Sequence, residues 1–196
     1  MQRISVVLFD DFTILDALGP VNVFAMLKDH YSVGFHSLHG GIVRTPPGLE
    51  FATRPLGEIE STDVLLVPGG FGTRELVNNG DFHAELVRVA DRSKSVLSVC
   101  TGSALLAKAG LLDGARATSN KLAFDWVVSQ GPGVDWVRRA RWVTDGKFRT
   151  SSGVTAGIDM TLDFVREQLG LEVARKIATA LEHRWTENAE DDPFAC

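Results

Sequence analysis

Two cysteines in 196 residues, Cys100 in mid-chain and Cys196 at the end, are too few for a disulfide framework. A reducing, cytoplasmic setting is the expectation that follows. Long apolar runs are missing as well. No stretch approaches the roughly 20 residues a membrane helix needs. The run at residues 4–9 (ISVVLF) meets Asp10 and Asp11 and is too short for the core of a signal peptide. Positive charge is not in excess: 20 Lys and Arg stand against 25 Asp and Glu, a net charge of -5. Neither nucleic acid nor an anionic membrane is therefore an expected partner. HExxH, CxxC and EF-hand patterns are absent, and His36 and His39 have no acid or thiol beside them, so no metal and no resident cofactor is expected.

What is present is an alternation of short β-rich runs with helical patterns, the signature of a parallel sheet with helices on both faces. Residues 4–9, 31–38, 63–67 (DVLLV) and 95–99 (SVLSV) read as strands, and residues 40–60, rich in turn formers, as a hairpin excursion. Helices are expected at 21–28, opened by Gly19-Pro20, at 81–92 with Asp81 as N-cap, after Cys100 up to Gly110, at 121–129, at 155–169 stopped by Gly170, and at 172–185. Residues 134–143 and 147–150 read as strands joined by an Asp145-Gly146 turn. The tail at 187–192 is acidic and reads as solvated, and Cys196 as an exposed, incidental thiol. With no linker, repeat or low-complexity segment, residues 1–196 read as one domain.

The chemistry gathers at Cys100. A buried strand ends there, and the small residues Thr101-Gly102-Ser103-Ala104 open a helix. This is the layout of a nucleophile elbow, in which a sharp strand-to-helix turn lifts one side chain above the sheet. The positions two before and two after it, crowded in such turns, hold Ser98 and Gly102. A thiol at a helix N-terminus is expected to be biased toward thiolate. An inert core cysteine is the competing reading. Pro68-Gly69-Gly70 follows another core strand and reaches the same carboxyl edge, where doubly wound sheets bind ligands; a plain glycine-rich turn is its bland alternative. Asp16 follows the first strand and also reaches that edge, as a proton-exchanging neighbour of the thiol or as a cap residue. Asn120 reads as a turn residue or a pocket contact, and His183 as a cation near a helix end.

Four blocks taken together, Asp16 within LDALGP, PGG at 68–70, SVCTGS at 98–103 and SSGVTAGID at 151–159, resemble the ThiJ/PfpI superfamily across nearly the whole chain. The resemblance implies a flavodoxin-like, class I glutamine-amidotransferase-like domain: a doubly wound, mostly parallel sheet with a nucleophile elbow. Within that superfamily the blocks are most similar to those of isocyanide (isonitrile) hydratases. By that resemblance Cys100 attacks the isocyanide carbon and Asp16 shuttles protons. The amides of Thr101 and Gly70 face the adduct, and Gly69, Val154 and Asn120 border the substrate. A cofactor-free lyase that works as a homodimer on a small molecule is implied. Two features depart from relatives. Thr101 stands where protease-like and glyoxalase-like branches carry histidine, and Asn120-Lys121 stands where hydratases carry a His-Trp pair. Branches fused to a helix-turn-helix module also exist, and the 196 residues leave no room for one. A glyoxalase- or deglycase-like enzyme, and a redox-sensing or chaperone-like protein using Cys100 oxidation, are the alternatives.

Overall fold

The computed structural model of the protein describes residues 1–195. The chain begins with β1 (Gln2–Val7), α1 (Ile14–Ala25) and β2 (Tyr31–Ser37), followed by a hairpin of β3 (Gly41–Thr45) and β4 (Leu49–Pro55). Next come β5 (Thr62–Val67), a short α2 (Thr73–Leu76), α3 (Gly80–Asp91), β6 (Ser93–Val99) and α4 (Gly102–Lys108). The last part holds β7 (Arg116–Ala117), α5 (Phe124–Gln130), β8 (Asp135–Trp136), β9 (Trp142–Asp145), β10 (Phe148–Ser151), α6 (Ala156–Leu169) and α7 (Leu171–Ala180).

Eight strands form one sheet in the order β3-β4-β2-β1-β5-β6-β10-β9, with the five pairings from β4 to β10 parallel and antiparallel pairs at both edges. The inner strands are dense in valine, leucine and isoleucine and their carboxyl halves are fully buried, as strands covered on both faces must be. Helices α1, α6 and α7 pack together as one group, and α2 to α5 as a second. This is the flavodoxin-like arrangement the sequence implied. The chain runs from β1 outward to β2 and returns to β5 on β1's other side. The carboxyl ends of β1 and β5 therefore flank the point where strand order reverses, the usual ligand crevice of such sheets.

Several local expectations change. Helix α1 begins at Ile14, well before Gly19-Pro20, with Pro20 inside it. A proline costs one main-chain bond in mid-helix, and the buried face of Asp16, Ala17, Val23 and Phe24 outweighs that loss. The cap of α3 is Asn79, whose side chain accepts from Phe82 N–H at 2.9 Å, and not Asp81. The stretch 134–143 is two pieces: β8 pairs with β7 in a separate small sheet, and only β9 joins the main one. Helix α7 ends at Ala180, short of Trp185. The tail is not free in solvent. Ala189 C=O accepts from Arg141 and Trp142 N–H groups, and Asp192 is 6% exposed. Cys196 lies outside the described residues. Among those residues no helix is long and apolar enough to cross a membrane.

Candidate active site

Strand β6 delivers Cys100 to the carboxyl edge, and the turn into α4 holds it at φ 57. A left-handed conformation costs a non-glycine residue about 1–2 kcal/mol, so the surroundings must enforce it. They do so through the backbone. Cys100 N–H lies 3.2 Å from the carbonyls of Ser151 and Ser152, and Cys100 C=O accepts from Ser119 Oγ at 2.8 Å and Ser103 Oγ at 3.1 Å. Close packing fixes the next residue but one. A Cβ on Gly102 would stand 2.3 Å from Val67 C=O, so no larger residue fits without shifting β5. Ser98 is accommodated without exposure.

The other predicted residues meet around this turn. Asp16 sits in the first turn of α1 and is wholly buried; Oδ2 accepts from Gly69 N–H at 3.1 Å, while Oδ1 has no partner among the described residues. Gly69 is required by space: its missing Cβ would lie 2.5 Å from Thr101 N and 3.0 Å from Asp16 Oδ2. Gly70, at φ 138, lies against the backbone of Asp11 and Phe12. Its amide was expected to face an adduct. Instead it donates to Thr101 Oγ1 at 3.0 Å, so only the Thr101 amide of that pair is directed at the thiol. Val154 is held at φ 26, two residues beyond Ser152 in the loop before α6. Asn120 Oδ1 accepts from Ala123 N–H, and its Nδ2 packs against Gly153, which carries it to the loop bearing Val154.

Burial dominates the electrostatics. It pushes Asp16 up to about 7, against the Gly69 N–H and the thiol, which favour the anion. Cys100, 7% exposed, is pushed up to about 12, first by burial and then by the charge of Asp16, against hydrogen bonds from Thr101. The thiolate expected from a helix N-terminus is thus not the resting form. Helix α4 has only seven residues, and desolvation beside a carboxylate outweighs its dipole. The pair is a protonated thiol beside a carboxyl group that titrates near neutral pH.

Two contributors escaped the sequence reading. Thr73, fully buried, donates to Gly70 C=O at 2.7 Å and stands 3.3 Å from Thr101 Oγ1, locking the glycine turn to the elbow. Ser119 supports the elbow carbonyl. The only signal for either was a small hydroxyl residue near a glycine turn, which is too common to single out. Lys121, in the departure at 120–121, turns away from the thiol: Nζ donates to Ala140 C=O at 2.7 Å and Thr118 Oγ1 at 2.8 Å, and faces Asp192 at 3.6 Å. Burial lowers it to about 8. His183 meets Asp159 Oδ1 at 2.7 Å, which replaces the helix-end role expected for it.

A parallel sheet with a strained cysteine at its carboxyl edge and a buried acid at the strand-order switch defines a flavodoxin-like α/β protein with an elbow-borne thiol. The model of the DJ-1/PfpI family matches residues 2–167, and the chain belongs to that family. It is 33% identical to the isonitrile hydratase of Pseudomonas putida, over 92% of this chain and 78% of that protein. The HTH-type transcriptional regulator CdhR of Pseudomonas aeruginosa is 33% identical over 87% of this chain, but this match takes in only 51% of the regulator. Among solved structures, a ThiJ/PfpI family protein from Pseudomonas syringae superposes with a TM-score of 0.85 at 29% identity, covering 94% of this chain and 76% of that one.

Proposed function

We propose that this chain is a one-domain, cytoplasmic lyase that hydrates small electrophiles at Cys100, with isocyanides as substrate and N-substituted formamides as product. The observation that carries the reading is the buried Asp16–Cys100 pair, with the acid at about 7 and the thiol still protonated. Similarity to an isonitrile hydratase over most of both chains supports the substrate class.

The reaction adds one water to R–N≡C. As the Cys100 sulfur forms its bond to the terminal carbon, Asp16 takes the thiol proton and returns it to that carbon, giving the thioimidate R–N=CH–S–Cys. Water then adds to the same carbon. Its proton passes through Asp16 to the nitrogen, the C–S bond breaks, and the sulfur regains a proton as R–NH–CHO leaves. The Thr101 amide faces the sulfur and stabilises charge there, Thr101 Oγ1 holds Gly70, and Gly69 fixes Asp16. Val154 and Asn120 border the substituent R. Threonine in place of a histidine after the cysteine leaves the carboxyl group as the proton carrier, which disfavours a Cys–His peptidase. The working unit is proposed to be a homodimer. Leu15, 40% exposed, lines an apolar cleft with Leu18, Val21, Ile158 and Leu181 directly beside Asp16 in sequence.

A para-substituted phenyl isocyanide should be converted to its formamide, followed by chromatography, and Cys100→Ala should abolish conversion and the mass adduct on the intact protein. No turnover across several isocyanides, with turnover of methylglyoxal, would replace this reading by the aldehyde one. The regulator relatives favour a second reading, a ligand-binding domain without turnover; saturable isocyanide binding with no formamide would select it.

A further inference from the structure

The crossover from β2 to β5 has no long helix. It consists of the β3–β4 hairpin and one tight turn at Leu56–Glu58. The strip of sheet it would have covered is therefore open. Along that strip Arg3 pairs with Ser32, Ser5 with Gly34, and His36 with Arg54, so these side chains share one face. Together with Glu58, Ile59, Glu60 and Ser61 they enclose a cavity of about 320 Å³ toward the amino ends of the strands, away from Cys100.

Three features distinguish it from ordinary polar surface. First, His36 is only 5% exposed, and its Nδ1 has no well-formed hydrogen bond among the described residues beyond a contact with the Gly34 backbone. Burial and then the neighbouring Arg54 lower its pKa, against the Gly34 backbone and the charge of Glu58, which raise it. A buried imidazole nitrogen so weakly satisfied gains from a ligand that completes its hydrogen bonding. Second, Gly34 sits in mid-strand with no positive φ to require glycine. It is required by space instead: a Cβ there would stand 2.9 Å from Arg54 Nη2 and 3.1 Å from the His36 ring. Third, the walls are fixed in advance. Arg88 donates to Leu56 C=O at 2.7 Å and to Ile59 C=O at 2.8 Å, Arg3 holds Ser61 Oγ, and Arg3 N–H donates to Asp63 Oδ2 at 2.8 Å.

The charges of Arg54, Glu58 and Glu60, which line the cavity, are not cancelled in ion pairs among the described residues. Arg54 on β4 makes no ion pair among the described residues, nor does Glu58, and both act on His36. A cavity lined by a free guanidinium, free carboxylates and hydroxyl groups suits a ligand carrying both charges. We propose that this cavity binds a small amino carboxylate, its carboxylate held by Arg54 and His36 and its ammonium group by Glu58 and Glu60. The site is independent of the chemistry at Cys100.

The test uses the full chain with 15N-labelled histidine, titrated with glycine, L-serine and L-aspartate, and with malate, ethanolamine and inorganic phosphate as comparisons that carry charge of one sign only. At least one of the amino acids should shift the His36 ring signals saturably, and the comparison compounds should be at least about tenfold weaker. Arg54→Gln and Glu58→Gln, both at exposed positions, should each weaken binding by about tenfold, and Gly34→Val should fill the cavity and abolish it. Labelling of Cys100 by a thiol reagent should be unchanged in all three. Absence of any saturable His36 shift, equal binding of malate or phosphate, or unaltered binding by Arg54→Gln and Glu58→Gln would overturn the proposal.

Discussion

Asp16 and Asp159 occupy equivalent places in two helices of the same layer. Each lies in the first turn, Asp16 in α1 and Asp159 in α6, and each is 0% exposed. Their partners differ. Arg141 meets Asp159 Oδ2 at 2.6 Å, while His183 and the Thr186 N–H meet Oδ1 at 2.7 and 3.3 Å, so both oxygens are occupied and a cation stands alongside. Asp16 has one amide and a thiol beside it and, among the described residues, no cation and one oxygen without a partner. The first carboxylate is a fixed strut that ties β9, α6 and the segment after α7 together. The second, equally buried, is held close to the point where it gains or loses a proton. Burial alone does not make an acid reactive; burial without compensation does.

The comparison can be broken most severely at Arg141. Arg141→Met leaves Asp159 buried without its guanidinium and should cost about 3–5 kcal/mol in urea unfolding; a loss under about 1 kcal/mol would mean that the pair is not what satisfies this acid. Asp16→Asn should do the reverse. Turnover of isocyanide should fall by about 10²–10⁴, and the rise of kcat/KM with pH through about 7, set by ionisation of Asp16, should vanish. An unchanged rate would remove Asp16 from the chemistry. The same variant should gain stability. Because its folded pKa is raised, Asp16 keeps its proton in the native state while the unfolded chain loses it, so stability falls between pH 3.8 and about 7, and the penalty persists above that range. Asp16→Asn should therefore be more stable than the parent at pH 8 by about 2–4 kcal/mol and near equal to it at pH 3. A stability difference independent of pH would contradict the assignment. The smallest effect belongs to the tail. Asp192→Ala removes the acid facing Lys121 and should cost about 1 kcal/mol in the same unfolding measurement, which would be zero if the tail were solvated as its composition suggested.

The parts legible from sequence were those governed by short-range pattern. Buried β-branched runs marked β1, β5 and β6, glycine marked the tight turn at Cys100, and Gly170 marked the end of α6. What misled the reading was tertiary compensation. Pro20 reads as a helix start but is tolerated in mid-helix because α1 buries a full apolar face. The run at 134–143 looks continuous, yet β8 pairs with β7 in a separate small sheet. At the site, Cys100, Asp16 and the glycine pair were recognisable, whereas Thr73 and Ser119 were not, since a hydroxyl gains meaning only from the atom it reaches across the fold.

By itself the sequence determined that a cysteine would stand on a strand-to-helix turn at the carboxyl edge of a parallel sheet, because alternation of buried strands and helices admits few other arrangements and small residues surround that turn. Only the tertiary structure decided how that cysteine and its neighbouring acid ionise. A pKa is set by the whole shell of solvent-excluding atoms and hydrogen-bond donors around a group. Those atoms come from β1, β5, β6 and their loops, segments far apart in the chain. The helix end next to the thiol argued for thiolate; the shell assembled by folding keeps the proton on the sulfur and leaves the carboxyl group to move it.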